Sequence, residues 1–230
     1  LDPDHPLPEY PRPQLRRDSY LNLNGRWDHA FRISAREPST WDGPIVVPFS
    51  PEAPLSGVGR QLQPAEFLHY RRTFDLPERF VRDRVLLHFG AVDQFCRVRV
   101  NGVDVGAHGG GYLPFTLDIT EALKPGSNTL HVVVTDPSDT GTGARGKQKL
   151  QPGGIWYTAQ SGVWQTVWLE SVPAGHVTDV HLEPDLTGFT ITVAATVTTS
   201  VDDSVRSGGI PLSTASGRTD PPLHIDIPQP

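Results

Sequence analysis

Apolar residues return at every second position along most of this chain. In 67–76, Leu68, Tyr70, Phe74 and Leu76 fall on one face and His69, Arg71, Thr73 and Asp75 on the other, the period of a half-buried strand. Arg72 is the one break in that run. Val85, Leu87 and Phe89 repeat the pattern, followed by Phe115, Leu117 and Ile119, then Leu130, Val132 and Val134, and finally 163–172. Cys96, Val98 and Val100 lead into Asn101-Gly102, and Val103 and Val105 return on the far side. That dipeptide predicts a hairpin, because a type I′ turn needs positive φ at both central positions. Two shorter strands come earlier, one running from Trp27 to about Ile33 and one over Ile45-Val46-Val47 that Pro48 stops. Both are expected at the periphery. The only helical signal is a single turn over 120–124, closed by Pro125-Gly126.

Eight or more short strands with turn chemistry between them predict an all-β fold, an antiparallel jelly-roll sandwich over 20–172. A proline-studded arm, 1–19, precedes it and is expected to run extended. Pro173-Ala174-Gly175 reads as a linker, and 176–198 as the first hairpin of an incomplete immunoglobulin-like β-sandwich. The Gly, Ser, Asp and Pro content of 199–230 predicts a loose tail.

Composition narrows the function. A net charge of -6 argues against a nucleic-acid partner, which takes clustered Lys and Arg to displace counterions. The sequence holds no apolar run of the roughly 20 residues a membrane span needs, and no secretory h-region, so a soluble, cytoplasmic chain is expected. The single cysteine, Cys96, reads as an inert buried thiol. The nine histidines show no metal-ligand spacing, so neither a metal nor a cofactor is expected; His69, His131 and His181 read as surface or satisfied positions. Gly141 to Lys147 spells a phosphate-loop pattern, yet Gln148 replaces the Mg²⁺-binding hydroxyl and Pro152 stands where a helix should run. A leading Leu1 and the absence of Met suggest a processed chain or a piece of a longer one.

Several phrases, in order, resemble the amino-terminal sugar-binding domain of glycoside hydrolase family 2. They are Leu23-Asn24-Gly25-Arg26-Trp27, Val47-Pro48-Phe49-Ser50-Pro51-Glu52, Tyr70-Arg71-Arg72-Thr73-Phe74, Leu87-His88-Phe89-Gly90-Ala91-Val92-Asp93 and Val98-Arg99-Val100-Asn101-Gly102. Gly106 to Phe115 and Ser161 to Glu170 continue the match. The resemblance implies a galactose-binding-like jelly roll that, in the family, precedes an immunoglobulin-like domain and a (β/α)₈ barrel with two catalytic glutamates. Such barrels take ~250 residues, and 55 follow Gly175 here. The family's acid/base glutamate follows an asparagine, and no Asn-Glu pair occurs. All eight glutamates (Glu9, Glu37, Glu52, Glu66, Glu78, Glu121, Glu170, Glu183) read as solvated, so none is assigned catalysis.

The long polar loop 136–157 is the candidate site, since loops beyond ~12–15 residues in a compact sandwich are usually functional or disordered. In relatives the equivalent loop reaches toward the sugar pocket of the barrel. Asp136 and Asp139 can accept bonds from sugar hydroxyls, Arg145, Lys147 and Gln148 can donate them, and Trp156 or Tyr157 can offer a ring face. On the plainer reading Trp156 and Tyr157 cover the sandwich end, the basic side chains are solvated, and Trp27, Trp41, Trp164 and Trp168 fill or edge the core. The expected role is thus an accessory part of a glycosidase polypeptide, inactive alone; a free-standing carbohydrate-binding protein or a purely structural sandwich is the alternative.

Overall fold

A computed structural model describes residues 2–185, 187, 190–198 and 223–226. The strands are β1 (Tyr20–Asn22), β2 (Gly25–Arg32), β3 (Gly43–Val47), β4 (Phe67–Asp75), β5 (Arg84–Phe89), β6 (Val92–Asp93), β7 (Phe95–Val100), β8 (Val103–Gly109) and β9 (Phe115–Asp118). Then come β10 (Ser127–Thr135), β11 (Gln148–Lys149), β12 (Tyr157–Thr158), β13 (Gly162–Val163), β14 (Val167–Val172), β15 (His176–Asp185), β16 (Thr190–Thr198) and β17 (Leu223–Asp226). Two sheets form the sandwich, one ordered β1-β14-β5-β9 and the other β3-β2-β4-β10-β7-β8. Every pair in the six-stranded sheet is antiparallel. The alternation explains the layering: Leu68 and Tyr70 on β4, Val98 on β7 and Val132 on β10 meet Leu87 and Phe89 on β5 and Leu169 on β14 in one core. The Asn101-Gly102 turn takes positive φ at both positions, as its hairpin requires, and the expected helical turn is a short 3₁₀ segment, Thr120–Ala122.

β2 departs from the sequence reading. Expected at the periphery, it pairs with β3 on one side and β4 on the other. Its alternation is masked because His29, Ala30 and Phe31 are all buried. The segment 33–42 folds back over the outer face of the sheet, where Trp41 meets His131 edge-on and carries the Arg71 guanidinium 4.5 Å above its ring. Beneath that segment His69 and His131 stack at 5.4 Å. His69 Nε2–H donates to the Ser34 carbonyl at 2.9 Å, and His131 Nε2–H donates to His69 Nδ1 at 3.2 Å. Burial, with His69, Arg99 and Arg71 beside it, pushes His131 down to about 4. His181 is exposed.

Glu170 corrects a second expectation. Rather than solvated, its side chain on β14 is fully buried, accepting hydrogen bonds from the Tyr10 hydroxyl and from Trp168 Nε1 at 2.9 Å, with His88 Nε2 at 3.5 Å. The reason is the arm, whose Leu1–Pro11 portion belongs to the sandwich unit. Asn24 Nδ2 donates to the Pro6 and Leu7 carbonyls at 3.2 and 3.3 Å, so the proline-rich segment shields the outer face of β14, turning and bending over 2–7 rather than running extended as expected. Cys96 is buried, its thiol pushed up to about 12.

Residues Arg12–Arg17 and Val172–Pro230 form the other unit. The expected hairpin is there, β15 against β16 in antiparallel register from His176↔Thr198 to Asp185↔Thr190. β17 adds a third strand from within the stretch expected to be loose; the rest of 199–230 lies outside the described residues.

One buried contact governs the sandwich. The Tyr70 hydroxyl, fully buried on β4, accepts the Val163 N–H at 3.2 Å. Gly162 beside it has φ +75, and a Cβ there would stand 2.0 Å from the Tyr70 oxygen. We therefore expect Gly162→Ala to lower unfolding stability by roughly 2–4 kcal/mol. Adding Tyr70→Phe, which removes the crowding oxygen, should make the double loss smaller than the sum of the single losses in urea denaturation. Strict additivity would show that the two residues do not meet.

Candidate functional site

Five loop segments converge at one end of the sandwich: 48–52 after β3, the β6–β7 junction, 110–114 after β8, 136–161 after β10, and 161–164. Both cis peptide bonds, Val47–Pro48 and Asp93–Gln94, lie among them. The strand pairing brings them together, because β13 lies antiparallel to β6 with Gly162 opposite Asp93 and Val163 opposite Val92. Glu52 fastens a second loop to the same place. Its carboxylate accepts the Ser161 hydroxyl at 2.7 Å, the Ser161 N–H at 3.1 Å and the Leu62 N–H at 3.1 Å.

The result is an acidic cluster. Asp93 is 5% exposed, and burial, then the charges of Asp136 and Glu52, push its carboxyl up to about 7. No described residue donates a hydrogen bond to it. Burial also raises Asp136, against the pull of the Ser138 N–H at 2.7 Å, and raises Glu52 against the bonds just given. Gly111 is packed against the Asp93 carboxyl so tightly that a Cβ there would meet Oδ1 at 2.4 Å. Next to it Tyr112 meets Trp164 edge-on at 6.2 Å, and Trp164 Nε1 donates to the Gly111 carbonyl at 2.8 Å. The Tyr112 hydroxyl is raised by burial and by the charges of Asp93 and Asp136. Partly exposed ring faces next to an under-bonded carboxyl suit a polyhydroxylated ring, which offers apolar C–H faces and O–H donors together.

The residues singled out from the sequence divide. Asp136 joins the acidic cluster. Lys147, Gln148 and Tyr157 line a shallow depression of about 570 Å³ with Thr158 and Gln160. Asp139 and Arg145 hold the loop together, one accepting from the Leu150 N–H at 3.4 Å and the other donating to the Gly141 carbonyl at 3.1 Å. Gln148 Oε1 accepts the Gln160 N–H at 2.7 Å. Trp156 carries the Lys149 ammonium 4.2 Å above its ring, and Tyr157 is 69% exposed. Sequence reasoning missed Asp93, Glu52 and Tyr112, and read Trp164 as part of the core. The available signal was an acid closing an apolar run, Phe89-Gly90-Ala91-Val92-Asp93, where burial of a charge was foreseeable.

Residues 61–165 match the glycosyl hydrolase 2 galactose-binding domain-like family. That stretch, less than half of the chain, is similar to the amino-terminal domain of family 2 enzymes. A β-galactosidase of Thermoanaerobacter pseudethanolicus is 32% identical over 144 residues, 61% of this chain and 18% of that protein. A human β-glucuronidase is 45% identical over 60 residues, 25% of this chain and 9% of that protein. The chain spans at most a fifth of the length of these curated relatives. Among solved structures, a Faecalibacterium prausnitzii β-glucuronidase superposes with a TM-score of 0.65 at 22% identity, covering 96% of this chain and 42% of that one. A β-D-mannosidase from Dictyoglomus thermophilum gives 0.61 at 19% identity, covering 77% and 26%. These two likenesses establish the fold alone, a β-sandwich. No described helix is long and apolar enough to cross a membrane.

The raised acid predicts a pH dependence. A carboxyl held above its unfolded value contributes stability at low pH that is lost as pH rises through about 7. Asp93→Asn removes that loss. The variant should gain over the parent between about pH 4 and pH 8, by up to roughly 4 kcal/mol. A stability difference that stays constant across that range, measured by denaturant unfolding, would show that Asp93 titrates normally.

Proposed function

We propose that this chain is the sugar-facing accessory part of a family 2 glycoside hydrolase and does not cleave glycosides by itself. The convergence of Asp93, Asp136, Tyr112 and Trp164 at one end of the sandwich carries this reading. A retaining glycosidase holds an acid and a nucleophile ~5–5.5 Å apart across the scissile bond, on a framework that encloses the sugar. Asp93 and Asp136 are instead both raised by burial at a loop cluster, and the described residues contain no α-helix from which a (β/α)₈ barrel could be built. The exposed apolar side chains Leu113, Ile155 and Tyr157 supply a surface for that barrel to cover. In this reading β15, β16 and β17 open a second, immunoglobulin-like sandwich. The loop end supplies one wall of a β-glycoside pocket: Asp93 exchanges hydrogen bonds with sugar hydroxyls while Trp164 and Tyr112 shape an apolar side. Asp136, Lys147, Gln148 and Tyr157 extend the wall.

Two assays follow. Tryptophan fluorescence should respond to β-galactosides or β-glucuronides only at about millimolar concentration, some −4 kcal/mol, because one wall alone encloses little of a sugar. Asp93→Ala and Tyr112→Ala should each abolish that response. Nitrophenyl β-glycosides should not be turned over. Turnover lost in Asp93→Asn would make the chain an enzyme in its own right, and silence in both assays would remove the sugar-facing role.

A further inference from the structure

The outer face of the six-stranded sheet carries a second feature, which starts at Phe95, two residues after Asp93. Antiparallel register places three rows of side chains across β10, β7 and β8: Thr135, Phe95 and Gly109; Val133, Arg97 and Ala107; His131, Arg99 and Asp104. Residues two apart on a strand share a face, so Phe95, Arg97 and Arg99 stand in one line. The segment 33–42 covers the neighbouring half of this face, over His69 and His131, and stops at Ala35. Beyond it the surface stays open as a groove of about 700 Å³, with Phe67 and Phe95 at one end and Arg97 and Arg99 along it. Its size and its mixture of apolar lining with a few polar groups are those of a ligand cleft.

Two details make this more than a solvated sheet face. Phe95 is 49% exposed, and a Cβ on Gly109 would touch its ring at 3.1 Å, so one ring face lies down on the glycine and the other is open. Arg97 and Arg99 share a single carboxylate, Asp104, at 3.4 and 4.0 Å. A surplus guanidinium charge therefore sits beside an open aromatic face, in a chain whose net charge is -6. The floor at β7 is sheet backbone already paired on both sides, with β8 as the edge strand beside it. Recognition on this face comes from the ring and the guanidinium forks, which match a pyranose C–H face and a carboxylate.

We propose that this groove binds uronic-acid-containing oligosaccharides, with the uronate carboxylate on Arg97 and Arg99 and a sugar face on Phe95. The site stands whether or not the acidic loop end binds sugar. Calorimetric titration of the whole chain with tetragalacturonate, a neutral cellotetraose and a tetraglutamate peptide tests it. Tetragalacturonate should bind, with cellotetraose and tetraglutamate each weaker by roughly tenfold or more, since each lacks either the charge or the ring. Arg97→Ala and Phe95→Ala, both on exposed side chains, should each weaken tetragalacturonate by about tenfold with thermal stability unchanged. No binding of tetragalacturonate, equal binding of the neutral sugar or of the peptide, or affinity kept in Phe95→Ala would overturn the proposal.

Discussion

A hydroxyl inside the core connects the packing of this sandwich to its acidic end. Tyr70 is wholly buried on β4, and a buried hydroxyl must find a partner or cost on the order of 1–3 kcal/mol. The Val163 N–H meets it at 3.2 Å. That bond fixes β13 over the core, where Gly162 alone fits beside the phenol oxygen, and β13 in turn pairs with β6 and sets Asp93. The position of the acid thus follows from satisfying a polar atom in the hydrophobic interior. Glu52 repeats the device from the other side, anchoring Ser161 through two hydrogen bonds.

Covering the outer sheet faces divides the molecule into inert and chemically open regions. The proline-rich arm closes the outer face of β14, where half-buried Tyr10 caps a buried network of Glu170, Trp168 and His88. The segment 33–42 closes part of the other sheet, and its histidine pair is held neutral by burial. What stays open is the loop end, with raised acids beside Tyr112 and Trp164, and the groove beside Phe95.

Much of the fold was legible because burial on one face writes itself as a period of two. The 67–76 run, the Asn101-Gly102 hairpin and the β15–β16 hairpin all appear where the pattern places them. Legibility failed wherever both faces are buried. His29, Ala30 and Phe31 hide the alternation of β2, and Glu170 looks solvated until the arm is laid over it. The site was less readable still. A long polar loop drew attention to Asp136, but Asp139 and Arg145 proved to brace that loop, and the most perturbed acid of the cluster, Asp93, owes its shift first to burial and then to the charges of Asp136 and Glu52, all of which only the folded chain supplies.

The proposed sugar-facing role rests on one carboxyl that the core holds out of water at the rim of the sandwich. With its proton half retained near neutral pH, that group can donate to one sugar hydroxyl and accept from another. Carboxyl-carbon NMR of Asp93 across the pH range measures this directly. The account predicts a midpoint near about 7, and a midpoint near the ordinary 3.8 would contradict it.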